Sequence, residues 1–169
     1  GVSQSVVEVR ERAYRLALRQ ADAVDTELYE QAARAALADR GPDRLPALQA
    51  AASLWDGDPL PEDRYEPWAT IWRERLIDLH SDLLGALTEL LLATGDPFAA
   101  TAWARRLIDL DPLNEAAHRR LIVSFARSRR GHALRQFLDC RRELVDGLGV
   151  EPAAETVDLH RAVLAGESV

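Results

Sequence analysis

The amino-acid sequence predicts an all-α fold built from antiparallel helix pairs. Apolar residues recur with a period of about 3.6 residues over most of the chain, which is typical of amphipathic helices. Proline and glycine interrupt these stretches at Gly95-Asp96-Pro97, Asp111-Pro112 and Gly131. Because such short turns bring consecutive helices back against each other, the helices are expected to bury their apolar faces together.

Two features recur along the chain. Gly95 and Gly131 are 36 positions apart, and the doublet Arg105-Arg106 has a counterpart at the same offset in Arg141-Arg142. Repeats of about 34 residues are typical of tetratricopeptide-like helix pairs. The offset therefore favours a tetratricopeptide-like α-α superhelix.

Residues 1–24 are expected to be an extension outside the helical domain. Apolar residues there alternate with polar or small ones, which is strand periodicity: Val7, Val9, Tyr14, Leu16 and Leu18. This pattern favours a short β-hairpin with its turn at residues 10–12, although the turn lacks the Gly or Asn that tight hairpins prefer. A helix through Val6, Val9, Ala13 and Leu16 is the alternative interpretation.

The helical domain is expected over residues 25–166. Asp25 can cap a first helix, which should end before Gly41, and a second helix should run from about Leu45 to Trp55. The longest helix is expected from Trp68 to Thr94. At roughly 40 Å it is long enough for several other helices to pack against it.

The dipeptide Asp111-Pro112 separates two further helices. The carboxylate of Asp111 is expected to cap the second of them, and Pro112 suits its first position, where a missing N–H costs nothing. Another helix should end at Gly147 and Gly149, and a last one should begin after Pro152 and end at Gly166.

Composition limits the chemistry that the chain can perform. All 21 basic residues are arginine, which excludes a phosphate-binding loop that needs lysine, a Schiff-base lysine and a lysine general base. The net charge of −7 disfavours duplex DNA as a ligand of the whole chain. Charge is uneven, however, since residues 20–70 contain eleven acids and four arginines, whereas residues 101–142 contain ten arginines and four acids.

The sequence also indicates where the protein acts. It has no apolar run of the roughly 18–20 residues needed to cross a bilayer, and no secretory leader, so we expect a cytoplasmic protein without a membrane partner. The single Cys140 excludes an internal disulfide and is expected to be a buried thiol. Methionine is absent, so the chain is expected to be part of a longer protein.

The sequence contains no recognisable catalytic or metal-binding motif. Its four histidines lack metal-binding spacing and are expected at the surface or at helix ends: His80, His118, His132 and His160. A nucleophile elbow of the G-x-S-x-G type is missing as well. We therefore expect no enzyme activity, no metal and no cofactor.

Two sets of residues are candidates for binding. Arginine doublets could form a surface for an acidic protein partner or a second copy of the chain, or could be solvated helical faces: Arg105, Arg106, Arg119, Arg120, Arg141 and Arg142. Three tryptophans flank the acidic, proline-rich stretch 58–63, where they could line an aromatic pocket or hold the loop against the core: Trp55, Trp68 and Trp72.

Four motifs occur in a characteristic order between Asp25 and Gly166. The first is the stretch LWDGDPL at residues 54–60, followed by Trp68, and the second contains Arg73, Arg75 and Leu76. The other two contribute a set of signature residues: Asp111, Pro112, Glu115, His118, Gly149 and Pro152. In this order the motifs resemble the bacterial transcriptional activator domain of SARP-type regulators, the activators of antibiotic gene clusters.

The resemblance implies a regulatory domain that supports self-association. In the family this domain commonly follows a winged-helix DNA-binding domain, and residues 14–18 resemble the last strand of such a domain, with Ala13 where the family usually has Gly. DNA contact is therefore expected only through an upstream winged-helix domain absent from this chain. The alternatives are a general tetratricopeptide-like adaptor and a small-ligand sensor within a larger regulator.

Overall fold

The computed structural model describes residues 7–10, 13–16, 25–59, 66–127 and 129–169. Strands β1 (Val7–Arg10) and β2 (Ala13–Leu16) form an antiparallel hairpin in which Val9 pairs with Tyr14. The chain thus adopts the hairpin and not the alternative helix. Part of the predicted turn, residues 11–12, lies outside the described residues.

The rest of the described chain is helical, which confirms the predicted fold class. Seven helices occur in the described ranges: α1 (Asp25–Ala38), α2 (Arg44–Ala52), α3 (Pro67–Ala93), α4 (Pro97–Leu110), α5 (Glu115–Ala126), α6 (Arg130–Leu148) and α7 (Ala154–Ala165). From α3 onward each helix packs against the next, and α1 and α2 both lie against α3. Helix α2 ends three residues before the predicted Trp55.

Helix α3 is the longest helix in the described ranges and contacts four others. Its 27 residues contact α1, α2, α4 and α5. The side chains that it buries are mostly leucines: Leu76, Leu79, Leu83, Leu84, Leu87 and Leu91. These residues form the centre of a first apolar cluster, and a second cluster lies between α4, α5, α6 and α7. Ile108 packs against both clusters and so joins the two halves of the domain.

The turn between α4 and α5 differs from the prediction at its cap. Asn114 is the N-cap of α5, and its Oδ1 accepts a hydrogen bond of 3.0 Å from the N–H of Ala117. Asp111 ends α4 instead, and its Oδ1 accepts the N–H of Leu113 at 3.0 Å, which closes the turn. Pro112 therefore lies in the turn and not in the first position of α5. The prediction was wrong because Asn114 is an equally good cap three residues further on.

Replacing Asn114 with Ala should lower the free energy of unfolding by about 0.5–2 kcal/mol, the usual cost of a lost helix cap. Asp111→Ala should also destabilise the domain, by about 0.5–1.5 kcal/mol, because it loses a single turn hydrogen bond. Urea denaturation measures both changes. Asn114→Ser is the matched control, since serine keeps a capping oxygen; a loss as large as that of Asn114→Ala would contradict the capping role.

Helix α6 ends as the sequence predicts. Gly149 has a φ of +70°, in the left-handed region, and its N–H donates to the carbonyl of Val145. A side chain at this position would strain the backbone, so glycine is favoured. Pro152 follows and is buried. These two signature residues therefore direct the chain from α6 into α7.

Candidate interaction surfaces

A cleft of about 700 Å³ opens between α3, α4 and the segment that follows α2. Arg73 and His80 contribute to it from α3, Arg106 and Asp109 from α4, and Trp55 from the segment after α2. The cleft thus combines an aromatic ring, an imidazole and charges of both signs. Such a mixture can bind an organic ligand or a short peptide segment.

Arg73 connects α3 to the segment after α2 that contains Asp58 and Pro59. It is a mostly buried arginine, and its guanidinium donates to Oδ1 of Asp58 at 2.5 Å and also to the carbonyl of Pro59. A guanidinium that is taken out of water needs such partners, since an unpaired buried charge is strongly destabilising. Two of the motifs identified in the sequence, at residues 54–60 and 73–76, are therefore joined in space.

An aromatic triad lies at one wall of the cleft: Trp55 and His80 line it, and Tyr29 is buried behind them. The rings of Trp55 and His80 stack with centroids 4.1 Å apart and planes 5° apart, and Tyr29 meets both rings edge-on. The hydroxyl of Tyr29 lies 2.9 Å from Nδ1 of His80. His80 was predicted at the surface or at a helix end. It is instead buried, because the rings of Trp55 and Tyr29, which come from other parts of the chain, cover it.

The protonation of the triad follows from its burial. Burial and, to a smaller extent, the positive charge of Arg106 lower the pKa of His80 to about 4, while burial raises the pKa of Tyr29. At neutral pH the imidazole is therefore uncharged and the phenol protonated. The hydroxyl of Tyr29 and Nδ1 share one hydrogen bond, and the tautomer of the ring sets which of them donates. His80 is thus an uncharged polar group in the wall of the cleft.

Of the three predicted tryptophans, Trp55 and Trp72 do not share this cleft. Trp55 lines the cleft, whereas Trp72 is absent from its walls and lies 5.9 Å below the guanidinium of Arg75. The side chain of Trp68 lies outside the described part of the chain. Tyr29 and His80 are the partners of Trp55 that sequence reasoning missed, because they lie far away in sequence.

The arginine doublets are divided among three helices. On α4, Arg105 lies over the ring of Phe125 and Arg106 over that of Trp103, with distances of 5.6 and 4.5 Å. Adjacent positions on a helix point about 100° apart. The structure therefore directs Arg105 and Arg106 to different surroundings.

The doublets on α5 and α6 are engaged within the chain. Arg120 donates to Glu89 at 3.1 Å, and Arg141 forms a two-pronged pair with Glu151 at 2.5 and 2.6 Å. Arg119 donates to Thr156, and Arg142 pairs with Asp139 and Glu143. These contacts reduce the positive field that the arginines present to a partner.

The signature residues His118 and Glu115 connect α5 to the preceding turn, to α6 and to α7. His118 is buried, and its Nε2 lies 2.9 Å from the carbonyl of Pro112, while its Nδ1 lies 2.7 Å from the amide of Gln136 on α6. Glu115 accepts the N–H of Ala153, the N-cap of α7, at 2.8 Å. The predicted surface or helix-end position of His118 was wrong, because both ring nitrogens have partners inside the fold.

Helix α6 exposes apolar side chains, and two of them, Leu138 and Val145, lie on its outer face. Leu138, Val145 and Leu148 are 59%, 40% and 56% exposed. Together with the neighbouring arginines and Asp146, Leu138 and Val145 line a shallow depression of about 270 Å³. Phe137 and Leu144, two apolar residues of the same helix, are buried instead.

The described residues lack two further features. No group of three or more His, Cys, Asp or Glu side chains is placed to hold a metal ion. None of the helices in the described ranges has the length and apolar character needed to span a membrane.

The architecture defines a class of protein, the helical, tetratricopeptide-like domains. The family model described as "Bacterial transcriptional activator domain" matches residues 21–164. The chain belongs to this family and is a domain of the SARP type, which confirms the resemblance of the motifs.

Two curated relatives are both named "Regulatory protein AfsR". The one from Streptomyces griseus is 32% identical over 115 residues, which cover 68% of this chain and 12% of the relative. That of Streptomyces coelicolor is 31% identical over 121 residues, or 71% of this chain and 12% of the relative. The chain therefore matches only about an eighth of the length of these regulators.

A solved structure shares the fold. The chain is similar to Mycobacterium tuberculosis EmbR, which was solved in complex with a low affinity phosphopeptide, with a TM-score of 0.73 and 22% sequence identity. The match covers 97% of this chain and 44% of EmbR. It supports the helical architecture described above.

Proposed function

We propose that this domain is the regulatory, non-catalytic interaction module of a SARP-type transcriptional activator and that it self-associates. The observation that carries the proposal is the outer face of α6, where Leu138 and Val145 remain in solvent. Grouped apolar side chains at a surface favour burial against another protein. Membership of the family supports the regulatory part of the proposal.

The parent protein contacts DNA, in this proposal, only through an upstream winged-helix domain, and it acts in the cytoplasm. The helical domain is a poor ligand for duplex DNA because its net charge is −7 and several of its arginines already pair with carboxylates. The hairpin β1–β2 is then the last part of the winged-helix domain.

Sedimentation of the isolated chain over a dilution series tests self-association. We expect a mass above 18.8 kDa at high concentration that falls on dilution and as salt rises, because salt screens charged contacts. A labelled duplex should not shift at physiological salt, whereas the full-length parent should shift it. A mass of one chain at every concentration would contradict self-association, and sequence-selective DNA binding by the isolated chain would contradict the assignment of DNA contact.

Small-ligand sensing is a second candidate function, and the cleft beside Trp55 favours it. His80 offers an uncharged imidazole there, and Arg106 offers a positive charge without a carboxylate partner among the described residues. Small aromatic acids should shift the indole N–H signal of Trp55 in a nuclear magnetic resonance spectrum. Arg106→Gln is the matched variant and should bind more weakly; unshifted signals with a panel of such acids would exclude this candidate.

A further inference from the structure

We infer that two copies of the domain associate through the outer faces of α6, which run antiparallel about a two-fold axis near Arg141. The inference rests on the proposed self-association and identifies its surface. The pattern of apolar and charged side chains on this one face carries it.

The outer face is defined by helix geometry. Helix α6 buries one stripe of side chains against the domain: Ala133, Phe137, Cys140 and Leu144. With about 100° of rotation per residue, the positions on the opposite side are Arg135, Leu138, Arg142, Val145 and Asp146. All five are exposed, and four of them line the shallow depression.

Two charges on this face lack ionic partners. Neither Arg135 nor Asp146 forms an ion pair with any residue of the described chain. They lie eleven positions apart, or about 16 Å along the helix. In an antiparallel pair centred near Arg141, Arg135 of each copy faces Asp146 of the other. A single two-fold axis therefore forms two ion pairs from groups that are unpaired in one copy.

The apolar side chains fit the same axis. Leu138 and Val145 lie at similar distances on either side of Arg141, so Leu138 of one copy comes opposite Val145 of the other. The shallow depression beside Val145 can then receive Leu138 of the second copy. This contact removes from water two apolar side chains that are 59% and 40% exposed in one copy.

The axis brings the two copies of Arg142 together, and nearby carboxylates balance their positive charge. Arg142 lies 3.1 Å from Asp139 and 3.3 Å from Glu143 in its own helix. Asp139 also comes opposite Arg142 of the second copy, so a carboxylate is available from each side. Because the face carries both signs of charge in nearly equal number, it matches another copy of itself better than a strongly acidic partner.

The test uses two charge-reversal variants. Each alone should associate weakly, and a mixture of the two should associate as the wild type does. Arg135→Glu and Asp146→Arg each place like charges opposite each other twice, and each should weaken self-association about tenfold or more. An equimolar mixture should restore association as a heterodimer. In that heterodimer the introduced acid faces the introduced base on one side of the axis, and the native pair reforms on the other.

Matched controls distinguish this surface from others. Leu138→Glu should abolish association, whereas Phe98→Glu, at an exposed apolar position on α4, should not change it. Arg105→Glu, at an exposed arginine of α4, should likewise leave association unchanged. Circular dichroism verifies that every variant keeps its helical content.

The outcomes distinguish a failure of the proposed self-association from a failure of this interface alone. A wild-type chain that stays monomeric up to about 1 mM, the weak end of measurable affinity, would overturn both the proposed self-association and this interface. A wild-type chain that associates, with Arg135→Glu and Asp146→Arg variants that associate equally well or do not complement in the mixture, would overturn this interface alone.

Discussion

Leu83→Ala should lower the free energy of unfolding by about 2–5 kcal/mol, the usual cost of removing a fully buried leucine. Leu83 is completely buried on α3, the helix against which α1, α2, α4 and α5 all pack. The truncation would leave a cavity that the rigid neighbouring helices cannot close. Since small domains are stable by only about 5–15 kcal/mol, this single change removes a large part of the total.

Urea denaturation of the wild type and the variant measures this effect. Ile71→Ala is the matched control, because Ile71 lies on the same helix but is 72% exposed. Its replacement should change the free energy of unfolding by no more than about 0.5 kcal/mol. Similar losses in the two variants would show that α3 is not the central helix of the core.

Stability should fall by about 3 kcal/mol between pH 6.5 and pH 4 because of His80 alone. The pKa of His80 is lowered from 6.5 to about 4 in the folded chain. Between these values the unfolded chain binds the proton and the folded chain does not, so protonation favours unfolding. The contribution of His80 is therefore complete above pH 6.5 and is lost as the pH falls towards 4.

The slope of unfolding free energy against pH isolates this contribution. His80→Phe keeps a ring against Trp55 but has no titrating group, so its slope between pH 6.5 and pH 4 should be smaller than that of the wild type. His132→Gln is the matched control, since His132 is exposed, and it should keep the wild-type slope. An unchanged slope in His80→Phe would show that another group causes the acid sensitivity.

Helix order and most helix ends were predictable from local signals. Pro97 and Gly149 act on the backbone of their own neighbourhood, so the sequence alone indicates where α4 begins and α6 ends. The cap of α5 was not predictable in the same way. Asp111 and Asn114 are both suitable side chains, and only the backbone path of the turn decides which of them precedes the helix.

The walls of the cleft and the buried histidines depend on residues that are distant in sequence. Tyr29 lies 51 positions from His80, and Gln136 lies 18 positions from His118, so no local pattern indicates that these imidazoles are buried. The outer face of α6 was hidden for a different reason. Leu138 adjoins Phe137 in sequence, and a pattern of apolar residues does not reveal which one faces the partner helices.

The reactivity of the buried Cys140 thiol can report how often the folded domain opens. Cys140 is fully buried, and burial together with the negative charge of Glu115 raises its pKa to about 12. Only the thiolate attacks an alkylating reagent, so the folded chain is almost inert at neutral pH. Because the chain contains one cysteine and no lysine, the rate of alkylation measures how often α6 separates from the rest of the domain, without any attached probe.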